Sequence, residues 1–396
     1  MSGENITLQD IQRLQIALKI KGVVQKYAWG KVGRRSRVAG FVTDVSPDER
    51  LAEYWLGVHE RGSARVVLPE GALCDLASIL PQDNPLPFLL KVLSIDESLG
   101  LSIQSHPDRA LAGRLHERLP EHYPDANHKP ELGVALSPVE ILYGFKPVAD
   151  ISALLNLLPA VRSVFPQSVA SDLAQCFRDG NGELLKRIFS SVLRADSLLV
   201  SNIVREIVAA EPGICAERDI IARLSKAHGE SDPGLIAVIL MNIVSLAEGE
   251  GIFIAPNVPH AYLSGDLIEC MACSDNVVRA GLTQKYCDID TLIETCAYDS
   301  IGMPPLTLQT LHDSGVFKFE VPVDDFELGV VPTGKSVRLV DSSRHRILLS
   351  VDGISEVCNR ESGATITLAD GEAALLVADS GGYECRCVSG RVFIAS

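Results

Sequence analysis

A chain of 396 residues exceeds what one hydrophobic core usually supports, so two or three domains are expected, and 46 % hydrophobic residues exclude global disorder. Thirty-six basic against 51 acidic residues leave a net charge of −15. That surface argues against nucleic-acid or anionic-membrane partners, and any anionic ligand must find a local basic pocket.

The opening MSGENITLQD has no basic segment leading into an apolar run. No stretch approaches the roughly 18 apolar residues of a membrane span, so the expectation is a cytoplasmic protein. Ten scattered cysteines are then read as free thiols in a reducing compartment. Cys270 and Cys273 have zinc-type spacing, but no second pair lies at finger distance, and on a strand the two thiols face opposite ways.

Residues 20–148 read as β-rich. Short apolar runs such as ARVVL (64–68) and PFLLKVLSI (87–95) are broken by Pro, Gly and Asp. Lys91 stands inside the second run, where an ammonium needs an anion or a route to an exposed edge. In LSIQSHPD (101–108), strand geometry puts Ser102, Gln104 and His106 on one face.

From Ala149 the apolar period lengthens to that of a helix: Ile151, Leu154, Leu155 and Leu158, then Leu184, Leu185, Ile188, Phe189, Val192 and Leu193. Leu198–Ala209 and Leu235–Leu246 continue it, with Ser231-Asp232-Pro233 as a start signal for the last helix. Strand character returns at GIFIA (251–255). From about 315, SVRLV, RILLSV, TITLA, ALLVA, ECRCV and RVFIA alternate with turn dipeptides. The expected fold is therefore mainly β with an α-helical insertion: a β-barrel or sandwich from 1–149 and 248–314, a helical domain at 150–247 and a second β-domain at 315–396.

Three segments are dense in ligand-type residues: Gln104 to Asp108, Tyr123 to Glu131, and Pro256 to Tyr262. Imidazoles and a carboxylate are what zinc accepts, with an amide oxygen as a further donor, which nominates Gln104, His106, Glu131 and His260. The alternative is four isolated polar residues on a barrel rim, because spacing alone does not bring three distant segments together. A basic set, Lys91, Lys129, Arg279 and Lys285, lies near Ser and Thr hydroxyls, the groups that hold a phosphate.

The stretches YPDANHKPE (123–131) and HAYLSGDLIECMACSDNVVRAGLTQK (260–285) resemble the two signature motifs of the type I mannose-6-phosphate isomerases, zinc-dependent enzymes of the cupin superfamily. YAWG (27–30), EYWLGVHE (53–60), LPFLLKVLSI (86–95) and SIQSHPD (102–108) add to the resemblance, which runs from about residue 20 to 300. It implies a cupin-type (jelly-roll) catalytic domain, a cupin-like C-terminal domain, and one Zn2+ per chain on Gln104, His106, Glu131 and His260. It also implies a catalytic Arg279, with Trp29, Ser102, Lys129, Tyr262, Glu269 and Lys285 in the pocket and His59 and Lys91 close by. The family's Thr-Pro-Lys reads here Thr283-Gln284-Lys285, which frees one backbone φ before Lys285.

The implied reaction interconverts mannose 6-phosphate and fructose 6-phosphate through an enediol, feeding mannose activation for GDP-mannose and glycosylation. Arg279 stays protonated and suits electrostatic stabilisation; Glu269 or a metal-bound water is the expected proton shuttle, and Lys129 or His59 the aid to ring opening. Two rivals are an iron-dependent cupin dioxygenase and an inactive sugar-phosphate sensor. The glutamine ligand and the basic cluster count against the first, the full ligand set against the second. A monomer without nucleic-acid or membrane partners is expected.

Overall fold

The computed structural model describes residues 17–68, 71–80, 86–175, 182–299, 310–311, 316–340 and 342–396. Cys176 and the expected junction at 314/315 lie outside them, as does the N-terminal decapeptide; the nine described cysteines are all free.

Antiparallel strands build the frame. At its centre is the 13-residue strand His260–Ala272, whose first half pairs with Val139–Phe145 and whose second half pairs with Phe88–Ile95 and Glu131–Ala135. The change of partner falls at Gly265, with φ of +109°, where a Cβ would come within 2.6 Å of the Pro138 carbonyl oxygen. Only glycine lets one strand bend there from one sheet into the next. The three-residue strand Ile103–Ser105 is set between His260–Ala272 and Val278–Gly281, so that Gln104 lies opposite both His260 and Arg279.

The helical block follows Phe145. Its helices Val148–Leu157, Gln167–Gln175, Gly182–Leu193, Ser197–Ala209 and Ala216–His228 turn their apolar stripes inward; Asp196 caps the fourth by accepting from the Leu198 and Leu199 amides. Their core continues without a break into Ile103, Ala261, Val278 and Ala280 of the sheet and Leu282 just beyond it, so the block is packed directly behind the strands that carry Gln104 and Arg279.

The expected helix Leu235–Leu246 is mostly something else. A four-residue helix, Gly234–Ala237, gives way to a 3-10 turn and then to the strand Met241–Leu246, paired with Val139–Phe145. Tertiary pairing along an edge overrides a helical period here. The C-terminal strands lie in two sheets, and one of these takes in chain from the other end: Leu18–Lys21 pairs with Ala373–Leu376 on one side and Arg65–Val67 on the other. One apolar cluster joins Ile347, Leu349 and Leu375 to Val92, Leu132 and Ile268 of the central sheet.

Candidate functional site

The three ligand-rich segments gather around the strand His260–Ala272, with Gln104 opposite its first residue and Glu131 opposite Met271, and side-chain clamps hold them there. Asn257, held at φ +64°, donates its backbone N–H to the His106 carbonyl at 2.7 Å. Its side-chain amide exchanges bonds with Asp108, donating to the carboxylate at 3.0 Å and accepting from the Asp108 N–H at 3.3 Å. Asp108 also caps the helix Arg109–Arg118 through the Leu111 N–H. The loop at 125–127 is tied to 274–276 in the same manner: Asp125 accepts from the Ser274 hydroxyl at 2.8 Å and the Asp275 N–H at 2.9 Å, and the Asn276 amide donates to the Asp125 and Asn127 carbonyls.

These clamps place His106, Glu131 and His260 so that one donor atom from each lies within 4.8 Å of the others, all three residues buried. His106 Nδ1 donates to the Asn276 carbonyl at 2.9 Å and His260 Nδ1 to the Val258 carbonyl at 3.0 Å, because a carbonyl can only accept. Each Nε2 therefore presents a lone pair inward. His106 Nε2 lies 3.1 Å and His260 Nε2 3.6 Å from the Glu131 carboxylate, yet among the described residues neither Nε2 nor Glu131 Oε2 makes a hydrogen bond. Three buried, unbonded polar atoms converging on one point are costly unless something coordinates them, and two imidazole nitrogens with a carboxylate oxygen are a fitting set for a divalent cation. Gln104 stands across from His260 with its amide oxygen accepting from the Ser102 hydroxyl at 3.1 Å.

Burial, seconded by the charge of His106, lowers the His260 pKa to about 4; burial and Lys129 lower that of His106. Both rings are therefore neutral donors at pH 7. Burial alone would raise Glu131, but the Lys129 ammonium, 3.0 Å away, and the two histidines hold it ionised, well below the usual carboxylate range.

Beside this cluster opens a cavity of about 350 Å³. Five cations (Arg61, Lys91, Lys129, Arg279, Lys285) and four carboxylates (Glu53, Glu131, Glu269, Asp275) line it, so the pocket is locally positive inside a chain of net charge −15. Lys91 and Glu269 face each other across neighbouring strands in a 3.0 Å ion pair; Lys91 also lies 5.2 Å from the centre of the Trp55 ring, whose indole N–H is taken by Glu53. Burial, then the charge of Glu131, push the Glu269 carboxyl up to about 7 against the pull of Lys91. Lys91 itself stays protonated, because Glu269, Glu53 and Glu131 outweigh the cost of its burial. Among the described residues, Arg279 and Lys285 have no acidic partner; Lys285 rests over the Tyr27 ring at 5.0 Å.

Trp29, Lys91, Ser102, Gln104, Lys129, Glu131, Tyr262, Glu269, Arg279 and Lys285 all line this cavity; His106 and His260 do not, and lie fully buried beside Glu131. Nor does His59. It lines a neighbouring cavity with His128 and touches the main one from behind its wall, with Nε2 3.4 Å from Asp275, Nδ1 accepting the Arg61 N–H at 3.1 Å and its ring edge-on to Trp55 at 4.9 Å. Cys270 is buried in the core and the Cys273 thiol donates to the Val58 carbonyl; neither joins a ligand cluster among the described residues. Glu53, Trp55, Arg61 and Asp275 line the cavity without having been singled out. Glu53 and Trp55 sit in EYWLG and Asp275 in SDN, stretches quoted for their resemblance, but an acid among strand residues carries no spacing signal.

Residues 17–148 match the family model described as phosphomannose isomerase type I, catalytic domain. The chain is 36 % identical over 380 residues to mannose-6-phosphate isomerase of Rattus norvegicus, covering 84 % of this chain and 89 % of that one. It is 35 % identical over 376 residues to that of Homo sapiens, covering 83 % and 86 %. Among solved structures, a mutant of phosphomannose isomerase from Salmonella typhimurium shares the fold with a TM-score of 0.82 at 27 % identity, over 96 % of this chain and 98 % of that one. A mannose 6-phosphate isomerase bound with zinc and yttrium gives a TM-score of 0.81 at 27 % identity, over 96 % and 98 %.

Proposed function

The chain belongs to the type I phosphomannose isomerase family, and from that premise we propose that it interconverts mannose 6-phosphate and fructose 6-phosphate by moving a proton between C2 and C1 through an enediol. The observation that carries this reading is the adjacency of two devices: the unbonded donor atoms of His106, Glu131 and His260, which reach the cavity through Glu131, and the buried Lys91–Glu269 pair in its wall.

His106, Glu131 and His260, with Gln104 as a further oxygen donor, would hold one Zn2+. When bound, the ion supplies Lewis-acid polarisation of the sugar's oxygens. A solved relative carries zinc, and the donor set here is chemically of that kind. The cupin-type barrel belongs to the same reading.

The remaining work falls to side chains of this chain. Glu269, with its pKa raised into the range where a carboxylate exchanges protons at pH 7, takes the proton from C2 of the aldose and returns it to C1, while the hydroxyl proton passes from O2 to O1. Lys91 keeps that carboxylate oriented. Burial lowers the Arg279 pKa without removing its charge, and a guanidinium at the wall offsets the negative charge that develops on the carbonyl oxygen. Lys285 and Ser102, which line the cavity, take the phosphate in this reading, and Trp29 and Tyr262 shape the sugar's berth. Lys129 and the His59–Asp275 pair are the candidates for opening the pyranose ring. We read the enzyme as a cytoplasmic monomer supplying or draining mannose 6-phosphate for GDP-mannose.

The test is a coupled assay for fructose 6-phosphate formation from mannose 6-phosphate, with and without a chelator. Turnover that is lost on chelation and restored by Zn2+ is expected. Turnover that persists in metal-free protein overturns the metal site, and no turnover with zinc loaded overturns the isomerase reading.

A further inference from the structure

Arg279 and Lys285 stand on opposite sides of an unusual piece of backbone. Leu282, between them, has φ of +55°, a conformation that a branched side chain rarely adopts unless the surroundings impose it. The proline that would stiffen the following turn is absent, since Gln284 stands there. What holds the segment comes from the helical block. The Asp232 carboxylate accepts the Leu282 N–H at 2.8 Å with one oxygen and the Gly234 N–H at 2.8 Å with the other. A Cβ on Gly281 would lie 2.6 Å from that carboxylate and 2.9 Å from the Gly234 Cα, so two glycines allow the backbones to touch. The Thr283 hydroxyl then accepts the Lys285 N–H at 3.1 Å and finishes the turn.

Four residues earlier the same segment reaches the other rim. The helix Ala216–His228 ends at His228, and Gly229, at φ +82°, turns the chain away. His228 Nε2–H donates to the Leu99 carbonyl at 2.7 Å. Leu99 opens the loop that leads to Ser102 and Gln104, and both His228 and Leu99 line the cavity.

We propose that residues 228–234 of the helical insertion are a strap that sets the spacing between the two rims of the cavity, with Asp232 as a positioning residue for the anion-binding side chains Arg279 and Lys285. The inference rests on the sugar-phosphate reading of the cavity but does not require the isomerisation chemistry. The helical block is on this account a fixed brace: its core is continuous with that of the sheet and its end is bonded to both rims.

Asp232→Asn is nearly isosteric and leaves one of the two backbone N–H groups facing an amide NH₂. The chain's two tryptophans, Trp29 and Trp55, both line the cavity, so tryptophan fluorescence reports ligand entry directly. Zinc-loaded full-length wild type and Asp232→Asn are titrated with inorganic phosphate by fluorescence, and KM and kcat for mannose 6-phosphate are measured in parallel. The variant is expected to weaken phosphate binding and raise KM together by tenfold or more, with bound metal unchanged and a smaller fall in kcat. A purely structural Asp232 would lower the melting temperature and leave both binding constants within twofold of wild type; that result overturns the proposal. If Asp232→Asn does not fold, His228→Ala, which removes one bridge at a half-exposed position, carries the same test: a three- to fivefold loss of phosphate affinity supports the strap and wild-type affinity overturns it. Wild type that binds phosphate in an Asp232-dependent manner but does not isomerise overturns the enzymatic reading and leaves the strap standing.

Discussion

Lys91 and Glu269 occupy directly opposed positions on two antiparallel strands and close a 3.0 Å ion pair that is almost wholly shielded from water. Removing one partner of such a pair costs about 3–5 kcal/mol, because the other is left charged in a poor solvent. Glu269→Gln should therefore lower the melting temperature as well as activity, and the two effects separate in a double variant. Lys91→Met with Glu269→Gln replaces the pair with neutral groups and is expected to recover most of the stability while kcat stays down by about 10²–10⁴, the usual contribution of a general base. A double variant that regains activity along with stability would show that the pair is structural only.

The clamp at Asn257 makes a second outcome measurable. Its side chain holds Asp108, and its backbone N–H holds the His106 carbonyl, so it fixes two ligand-bearing segments from outside the ligand set. Asn257→Gly keeps the φ of +64° accessible and deletes only the amide's bonds. Outer supports of this kind are worth about 10–100-fold in metal affinity. A chelator competition titration with Zn2+ should show a loss in that range with little change in the melting temperature of the loaded protein. Unchanged affinity would mean that the segments are positioned by packing alone.

These clamps also mark where the sequence stops being legible. The alternation in LSIQSHPD puts Ser102, Gln104 and His106 on one face, and the Ser102 hydroxyl meets the Gln104 amide oxygen; donor chemistry nominates Gln104, His106, Glu131 and His260, of which the last three converge. Their convergence was not readable, because it depends on Asn257, Asp108, Asp125 and Asn276 bonding to backbone far away in the chain, and such bonds leave no period. The run 235–246 misled for a related reason: Ile236, Ile239, Leu240 and Ile243 satisfy a helical stripe, but Met241–Leu246 had an edge to pair with. His59 was carried over by resemblance and lies one cavity away, behind Asp275.

Asp275 gives a pH-dependent outcome with a definite sign. Burial works against its ionisation, but His59 and Arg61, at 3.4 and 3.1 Å, hold its pKa down at about 2, below the 3.8 of a free aspartate. A depressed carboxylate contributes stability that is fully present above the unfolded pKa and is lost as pH falls from 3.8 towards 2. With solvent screening allowed for, that contribution is about 1 kcal/mol. Asp275→Asn should be less stable than wild type in denaturant at pH 6, and the gap should close as both are taken below pH 3. A gap that is constant with pH would assign the cost to lost hydrogen bonding instead.

The strand Leu18–Lys21 makes the strongest claim about folding. It supplies one strand to the C-terminal sheet, between Ala373–Leu376 and Arg65–Val67, and it buries Leu18 and Ile20 in a core that also contains Val92 and Ile268. Cutting the chain at 314 leaves that strand with an open hydrogen-bonding edge and strips the central sheet of Ile347, Leu349 and Leu375, a combination that favours aggregation over folding. The fragment 1–314 is expected to be recovered insoluble or as a high-molecular-weight peak on size exclusion. The full-length protein should melt in one transition, and Ile20→Ala, which removes a fully enclosed side chain at a cost of about 2–5 kcal/mol, should move that whole transition down. A monomeric 1–314 melting within a few degrees of the full chain, or an Ile20→Ala variant in which only part of the transition shifts, would show that the C-terminal sheets fold independently and that the shared strand contributes little.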